Sequence, residues 1–263
     1  MSSLTGSTLD RQVNTPLRQT ESKLRNLIKS HSTICVALLD SENSSPTGAA
    51  KVAARAEKCG ALAILVGGST AVDQIELEQV VTSIKRSVTS PVILFPGNVT
   101  GVAPSADAIF FSCLMNSDNP YFITEAQALG ALAIRKHNLE AIPMAYLIVG
   151  EGGAAGFVGR AKGIPQNKPS LAAMYALAAE YFGMRFLYLE AGSGADGRVS
   201  QAMIASVRKV YQGTLIVGGG ITTPEAAQAA AKAGANIIVV GTLLESANFG
   251  PILTKICTVI SHK

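Results

Sequence analysis

The chain has no tryptophan, and its aromatic side chains are limited to six tyrosines and eight phenylalanines. Charge is also scarce, at 15% of 263 residues, whereas 48% of residues are hydrophobic. A core of that size must be filled by Ala, Val, Ile and Leu, as in a parallel sheet covered on both faces. The net charge is only +4, and no dense basic run with interleaved aromatics is present, which excludes an obvious nucleic-acid surface. No apolar run reaches about 18 residues, so no membrane span is expected. The cysteines Cys35, Cys59, Cys113 and Cys257 have no metal-site or redox spacing, and His31, His137 and His262 are isolated. The N-terminus, MSSLTGSTLDRQVNTPLRQT, lacks the apolar segment of a signal peptide. The expectation is therefore a cytoplasmic protein with reduced thiols, a flexible tail over residues 1–20 and one domain over 21–263.

What the chain does contain is a repeated unit. Short apolar runs recur at 33–39, 61–66, 91–95, 107–114, 141–149, 185–190, 214–217 and 236–240. Alanine-rich helical patterns follow them at 48–58, 72–87, 121–136, 169–182, 199–209, 223–233 and 244–261. Thr223-Pro224-Glu225 combines an N-cap, a first-turn proline and an early acid, and Pro169-Ser170 opens another helix. Ahead of the first strand, Leu24, Leu27 and Ile28 lie at helical spacing and predict a covering helix. Eight strands alternating with helices predict a (β/α)₈, or TIM, barrel. One unit departs from the pattern. Residues 96–106, PGNVTGVAPSA, are too rich in Gly and Pro for a packed helix, so the third helix is expected to be replaced by an irregular segment.

After the sixth run, EAGSGADG places Gly192, Gly194 and Gly197 in the spacing G-x-G-x-x-G. A dinucleotide site would need an acid at the end of the next strand, about 20 residues on, and TLIV runs instead into Gly218-Gly219-Gly220. Asp196 would also face a pyrophosphate; two unit charges about 4 Å apart repel by roughly 4 kcal/mol at an effective dielectric near 20. A second match, Gly150 to Ala155, reads as the start of a loop rather than of a helix. The strand–glycine–helix transitions at VGGGI (217–221) and VVGT (239–242) make a better anion site. In barrels the loops after strands seven and eight commonly hold phosphate on backbone N–H groups and helix N-termini. Glu190, at the end of strand six, then lies beside that phosphate. It suits the hydroxyls of a phosphorylated polyol and could take a proton from one.

Taken together, YLEAGSGA (188–195), VGGGI, VVGT, VGGST (66–70), NPYFI (119–123) and IPQNKP (164–169) resemble the geranylgeranylglyceryl phosphate synthase family, which includes related bacterial heptaprenyl enzymes. The resemblance spans about residues 31–246. It implies a modified TIM barrel that joins a prenyl diphosphate to sn-glycerol 1-phosphate and forms an ether-lipid precursor. By position it implies that Tyr188, Leu189, Glu190, Ala191, Gly192, Ser193 and Gly194 bind glycerol phosphate, with Glu190 and Tyr188 catalytic. Gly219, Gly220, Gly241 and Thr242 would hold the phosphate. Asp40 and Ser69 would position Mg²⁺. Tyr121 and Phe122 are candidates for the prenyl tail, and Lys162 and Lys168 for its diphosphate. The chain departs from the family pattern in two places. Asp40 is followed by Ser41-Glu42-Asn43 where the family has Pro-Asp or Pro-Glu, and Gln166 stands where it has arginine.

A homo-oligomer is expected, with the apolar residues of 121–136 as one possible interface, together with transient contact between the lipophilic product and a membrane surface. Phosphate loops alone do not define chemistry. An isomerase or lyase, and a non-catalytic phosphate- or flavin-phosphate-binding barrel, are the alternatives to a prenyltransferase.

Overall fold

The computed structural model describes residues 19–42, 45–68, 73–192 and 197–261. Eight parallel strands close into a barrel in sequence order. They are β1 (Ile34–Asp40), β2 (Ile64–Gly68), β3 (Val92–Pro96), β4 (Ala108–Leu114), β5 (Glu140–Ile148), β6 (Phe186–Glu190), β7 (Thr214–Gly218) and β8 (Ile237–Val240). β8 returns to pair with β1, from Ile34 opposite Ile237 to Ala37 opposite Val240.

The covering helices are α1 (Gln19–His31), α2 (Pro46–Lys58), α3 (Gln74–Lys85), α4 (Ala126–Lys136), α5 (Gly153–Val158), α6 (Pro169–Tyr181), α7 (Gln201–Val210), α8 (Pro224–Lys232) and α9 (Phe249–Ile260). Their starts follow local chemistry. Asp73 accepts hydrogen bonds from Ile75 N and Glu76 N, Ser200 from Met203 N, and Thr223 from Ala226 N, each filling donors that the first helical turn leaves open. Between β3 and β4 the chain forms no helix, as expected from PGNVTGVAPSA. One expectation is corrected: the stretch after Gly150 does contain a helix, the six-residue α5. It is too short to show a 3.6-residue period, and its N-cap is Gly152 in the left-handed region, a start no side-chain signal marks.

Strand alternation sorts the core into two shells. Leu187, Leu189, Val217 and Ile238 point outward and pack under the helices. Ile34, Val36, Phe110, Met144, Phe186, Tyr188, Ile216 and Val239 fill the barrel itself. The scarce aromatics are concentrated in this interior. Phe186, Phe110, Phe95, Tyr146 and Tyr188 form a column with ring centroids 5.2–6.2 Å apart.

α1 plugs the floor of the barrel. Leu24 inserts into the interior cluster, with Leu27 and Ile28 packed against it. Burying one such side chain is worth about 1.5–3 kcal/mol. The first turn of α1 is capped from a distance, because the Glu140 carboxylate accepts Thr20 N at 2.7 Å and Glu21 N at 3.0 Å. Glu21 in turn binds Arg185 with both oxygens and Arg25 with one. Burial alone would raise the Glu21 carboxyl, but the two guanidiniums hold it below its ordinary range. Gln19 and Thr20 therefore belong to α1, and the rest of the expected tail lies outside the described residues.

Candidate active site

The C-terminal ends of the strands open into a cavity of about 680 Å³. Glycines line one end: Gly219 and Gly220 after β7, and Gly241 with Thr242 after β8. Tyr188 and Glu190 lie beside them, and Asp40 comes in from β1. Beyond Phe95 and Tyr146 the cavity becomes an apolar groove. Its walls include Val99 and Val102 from the helix-free segment, Ile109 and Phe111 on β4, Gly130 and Ile134 on α4, and Ala155 and Val158 on α5. The helix-free connection between β3 and β4 thus forms part of the groove wall.

Glu190 is almost fully buried. Alternation from Phe186 and Tyr188 turns it inward at the mouth of the barrel. Its Oε1 accepts Gly192 N at 2.6 Å. Burial raises the Glu190 carboxyl above its ordinary range; the neighbouring Tyr188 hydroxyl and the Gly192 N–H pull it back only partly. The Tyr188 hydroxyl is buried without a partner at hydrogen-bond geometry. Burial, followed by the nearby Glu190 charge, pushes the Tyr188 and Tyr146 phenols well above their usual value.

Two glycines are forced by close approach. A Cβ on Gly219, which has φ +83°, would fall 2.5 Å from Glu190 Oε1 and 2.7 Å from the amide nitrogens of Ala191 and Gly192. A Cβ on Gly192, at φ +98°, would strike the backbone of Gly152 and Gly153. Gly192 thus serves loop-on-loop packing and needs no dinucleotide to explain it.

Among the described part of the Tyr188–Gly194 motif, Tyr188 and Glu190 line the cavity. Leu189 and Ala191 do not, because alternation directs them into the strand–helix layer. Gly192 does not line it either, and its N–H is committed to Glu190. Ser193, Gly194 and Ser69 lie outside the described residues. Asp40 is half-buried and shares the cavity with Glu190. Without the family's proline, its Oδ1 closes the following turn by accepting Glu42 N at 3.0 Å. Burial raises the Asp40 carboxyl, the Glu42 N–H opposes that rise and the Glu42 charge adds to it.

Phe122 lines the groove from a π-helical turn, Tyr121–Glu125. Tyr121 stays outside the cavity, with its ring edge-on to Phe122 at 5.1 Å. Lys162 and Lys168 are exposed and do not line it either. Their segment runs beside β5 through the Val149–Ile164 bridge, and this turns both side chains to solvent. Gln166 on the same segment buries Oε1 without a partner. Sequence reasoning missed Phe95 and Tyr146, which read as ordinary core. The signal for Tyr146 was its position opposite Tyr188 in the β5–β6 register, with Ile142 and Met144 marking the inward face.

Known proteins are similar to this chain over most of its length. The geranylgeranylglyceryl phosphate synthase of Cenarchaeum symbiosum is 56% identical over 240 residues, covering 91% of this chain and 97% of its own length. The protein of that name from Nitrosopumilus maritimus is also 56% identical, over 225 residues, with 86% and 90% covered. A crystal structure of (S)-3-O-geranylgeranylglyceryl phosphate synthase from Thermoplasma acidophilum, in complex with the substrate sn-glycerol-1-phosphate, superposes with a TM-score of 0.87. It shares 38% identity, and the match covers 90% of this chain and 98% of that one. The PcrB family description matches residues 26–260, and the chain is a member of the PcrB family.

Proposed function

We propose that this barrel is a prenyltransferase that joins geranylgeranyl diphosphate, or a prenyl diphosphate of similar length, to sn-glycerol 1-phosphate. One observation carries the reading: a buried carboxylate stands between a glycine-lined anion end and a long apolar groove in a single cavity. Those three features match the polyol, phosphate and isoprenoid parts of the two substrates.

In this reading Gly219, Gly220, Gly241 and Thr242 receive the glycerol phosphate through backbone N–H groups. Glu190 faces the glycerol hydroxyls, and Tyr188 steers the one that reacts. The prenyl chain lies along Val102, Ile109, Phe111, Phe122 and Ile134. As the allylic C–O bond to diphosphate breaks, positive charge grows on the prenyl C1. The glycerol oxygen then bonds to that carbon, and its proton passes to Glu190. Its raised carboxyl makes Glu190 a better proton acceptor than an ordinary surface glutamate. The faces of Phe95, Tyr146 and Tyr188 suit a developing cation, an interaction worth about 0.5–2 kcal/mol.

The cation in this proposal is Mg²⁺. No cluster of three or more His, Cys, Asp or Glu is present among the described residues to cage a metal. A single cavity carboxylate, Asp40, instead fits an ion held by one or two protein oxygens and by substrate phosphates. Ser69 is the second proposed oxygen. Bound there, Mg²⁺ would neutralise the diphosphate leaving group. The lipophilic product would leave toward a membrane surface; no helix among the described residues is long and apolar enough to cross one.

The test mixes purified protein with Mg²⁺, sn-glycerol 1-phosphate and geranylgeranyl diphosphate carrying a label in the prenyl chain. Label recovered as an acidic prenyl-glycerol phosphate, dependent on both substrates and on Mg²⁺, is expected. Binding of glycerol phosphate without transfer from any tested prenyl length would refute the proposal.

A further inference from the structure

Three of the four cysteines, far apart in the chain, come together at one seam of the barrel. Strand alternation on β1 turns Val36 and Leu38 inward and sends Cys35 outward with Ala37 and Leu39, where it is buried under the helical layer. α9 packs over that side of β1. Its buried face carries Phe249, Gly250, Leu253, Ile256 and Ile260, and half-buried Cys257 stands at the edge of that face. Cys59 caps the end of α2 beside them.

Backbone contacts fix the approach. A Ser32–Ser261 bridge ties the chain just before β1 to the end of α9, and Ser261 N donates to Cys257 O. From the other side, Gly60 leaves room for the helix at φ +104°: a Cβ there would lie 3.0 Å from Cys257 Cβ and 3.4 Å from its Sγ. Just beyond Gly60, Leu62 N donates to Cys35 O at 2.9 Å. Cys35 and Cys257 meet in this corner, and the Cys35 thiol donates a hydrogen bond to the Cys257 sulfur. Cys59 is aimed elsewhere. Its Sγ lies 3.5 Å from where a Cβ of Gly250 would stand, about two helical turns, or ~10 Å, back along α9 from Cys257.

We propose that Cys35 and Cys257 form a reversible disulfide that ties the first strand to the last helix when a small-molecule disulfide is present. The two thiols divide the roles that such a bond needs. Their mutual hydrogen bond, and then burial, hold the Cys35 thiol well above its ordinary value; the same hydrogen bond brings the Cys257 thiol below its own, against the opposing effect of burial. The thiolate is the attacking species, and Cys257 is also the one of the pair that solvent reaches. With oxidised glutathione as the oxidant, the Cys257 thiolate attacks one of its sulfurs, breaks its S–S bond and expels one glutathione thiolate. The Cys35 sulfur then attacks Cys257 Sγ and expels the second. Each expelled thiolate takes up one of the two protons that the cysteines lose, so two protein thiols are oxidised and one small disulfide is reduced to two thiols.

The position gives the bond its effect. With the strands in sequence order, only β8 and β1 are neighbours without a direct connection in the chain, and α9 covers that seam. A crosslink from residue 35 to residue 257 closes most of the chain into one loop, which restricts the unfolded state strongly. Cys35 points away from the cavity that Asp40 lines, so the reacting groups stay in place.

The test incubates the folded full-length chain with excess oxidised glutathione at mildly alkaline pH, blocks free thiols with iodoacetamide and maps the tryptic peptides by mass. A linked Cys35–Cys257 peptide pair is expected, with Cys59 and Cys113 left free and all four thiols recovered by dithiothreitol. The oxidised chain should melt roughly 10 °C above the reduced one. Cys257→Ser should abolish both the bond and the rise, whereas Cys113→Ser on β4 should leave both unchanged. If Cys257→Ser disturbs folding, the peptide map of the wild type still reads the pairing. Four free thiols after oxidation, a glutathione adduct on Cys257 that never closes, a Cys59–Cys257 pair or a disulfide between chains overturns the proposal. So does an oxidised chain that melts with the reduced one, because the bond then ties nothing that matters to the fold.

Discussion

Replacing Glu190 by glutamine separates the chemical role of this side chain from its structural one. Glutamine keeps the shape and an oxygen that can still accept Gly192 N–H, so the packing of Gly219 against that oxygen survives. What the fold loses is the charge in one hydrogen bond, worth about 1 kcal/mol and so less than tenfold in any equilibrium it controls. A general base contributes about a hundredfold or more, equivalent to about 2.7 kcal/mol of barrel-mouth chemistry. Stability should move the other way. The Glu190 carboxyl is raised in the folded protein, so the folded state holds its proton more tightly than the unfolded chain. Stability is then lost as pH rises from the unfolded pKa through the folded one, and the full cost persists at neutral pH. Glu190→Gln removes that cost. The expected result at pH 7 is kcat/KM down by at least about a hundredfold, with a melting temperature equal to or above the wild type. Steady-state transfer of prenyl label and a thermal melt measure the two quantities. A loss smaller than about tenfold would remove Glu190 from proton transfer, since weakening its hydrogen bond alone could account for it.

Gly219→Ala should destabilise the chain by about 1–3 kcal/mol, because its Cβ meets the Glu190 carboxylate and two amides at a positive φ; thermal melts check this, and KM for glycerol phosphate should rise. Tyr188→Phe removes a buried hydroxyl that neighbours the Glu190 carboxylate but lacks good hydrogen-bond geometry, so the melting temperature should hold or rise while turnover falls. A fall in both would make the hydroxyl structural. Asp40→Asn should raise the Mg²⁺ concentration needed for half-maximal transfer, and chelation with EDTA should abolish transfer in the wild type. Activity should also fall on acidification at a higher pH than ordinary carboxylates would give, because burial raises both Asp40 and Glu190 and each acts in its ionised form. A pH–rate profile flat down to the ordinary carboxylate range would contradict that assignment.

Local pattern located the strands well, since each expected apolar run overlaps its strand, with most edges within two residues. The exception is 61–66, where Ala61 to Ala63 precede β2 without joining it. The absent third helix was equally legible, because Gly and Pro act locally. The glycine spacing at 192–197 was misleading for a physical reason. Gly192 is required by contact with Gly152 and Gly153, forty residues away in sequence, and no local rule reports such an approach. The groove was hidden for the same reason. Val102, Phe111, Ile134 and Val158 each look like core residues, and only closure of the barrel sets them around one empty volume. Chain direction in the 162–168 segment likewise turns Lys162 and Lys168 away from the cavity, although sequence proximity to the loop suggested otherwise.

The helix-free connection between β3 and β4 has a consequence for how such a catalyst can diversify. Glu190 stands on the strand ladder and the anion end directly follows β7 and β8, so shifting a strand by one residue would turn every side chain of that strand to the other face. The groove is bounded on one side by β4, and for the rest by a loop, one face of α4 and the short α5. On its loop and helix sides, its length and width can drift by single substitutions without disturbing the ladder that aligns the reacting groups. In the proposed reading, selectivity for the tail and chemistry at the headgroup are thus written in largely separate parts of one barrel, and one can change while the other stands still.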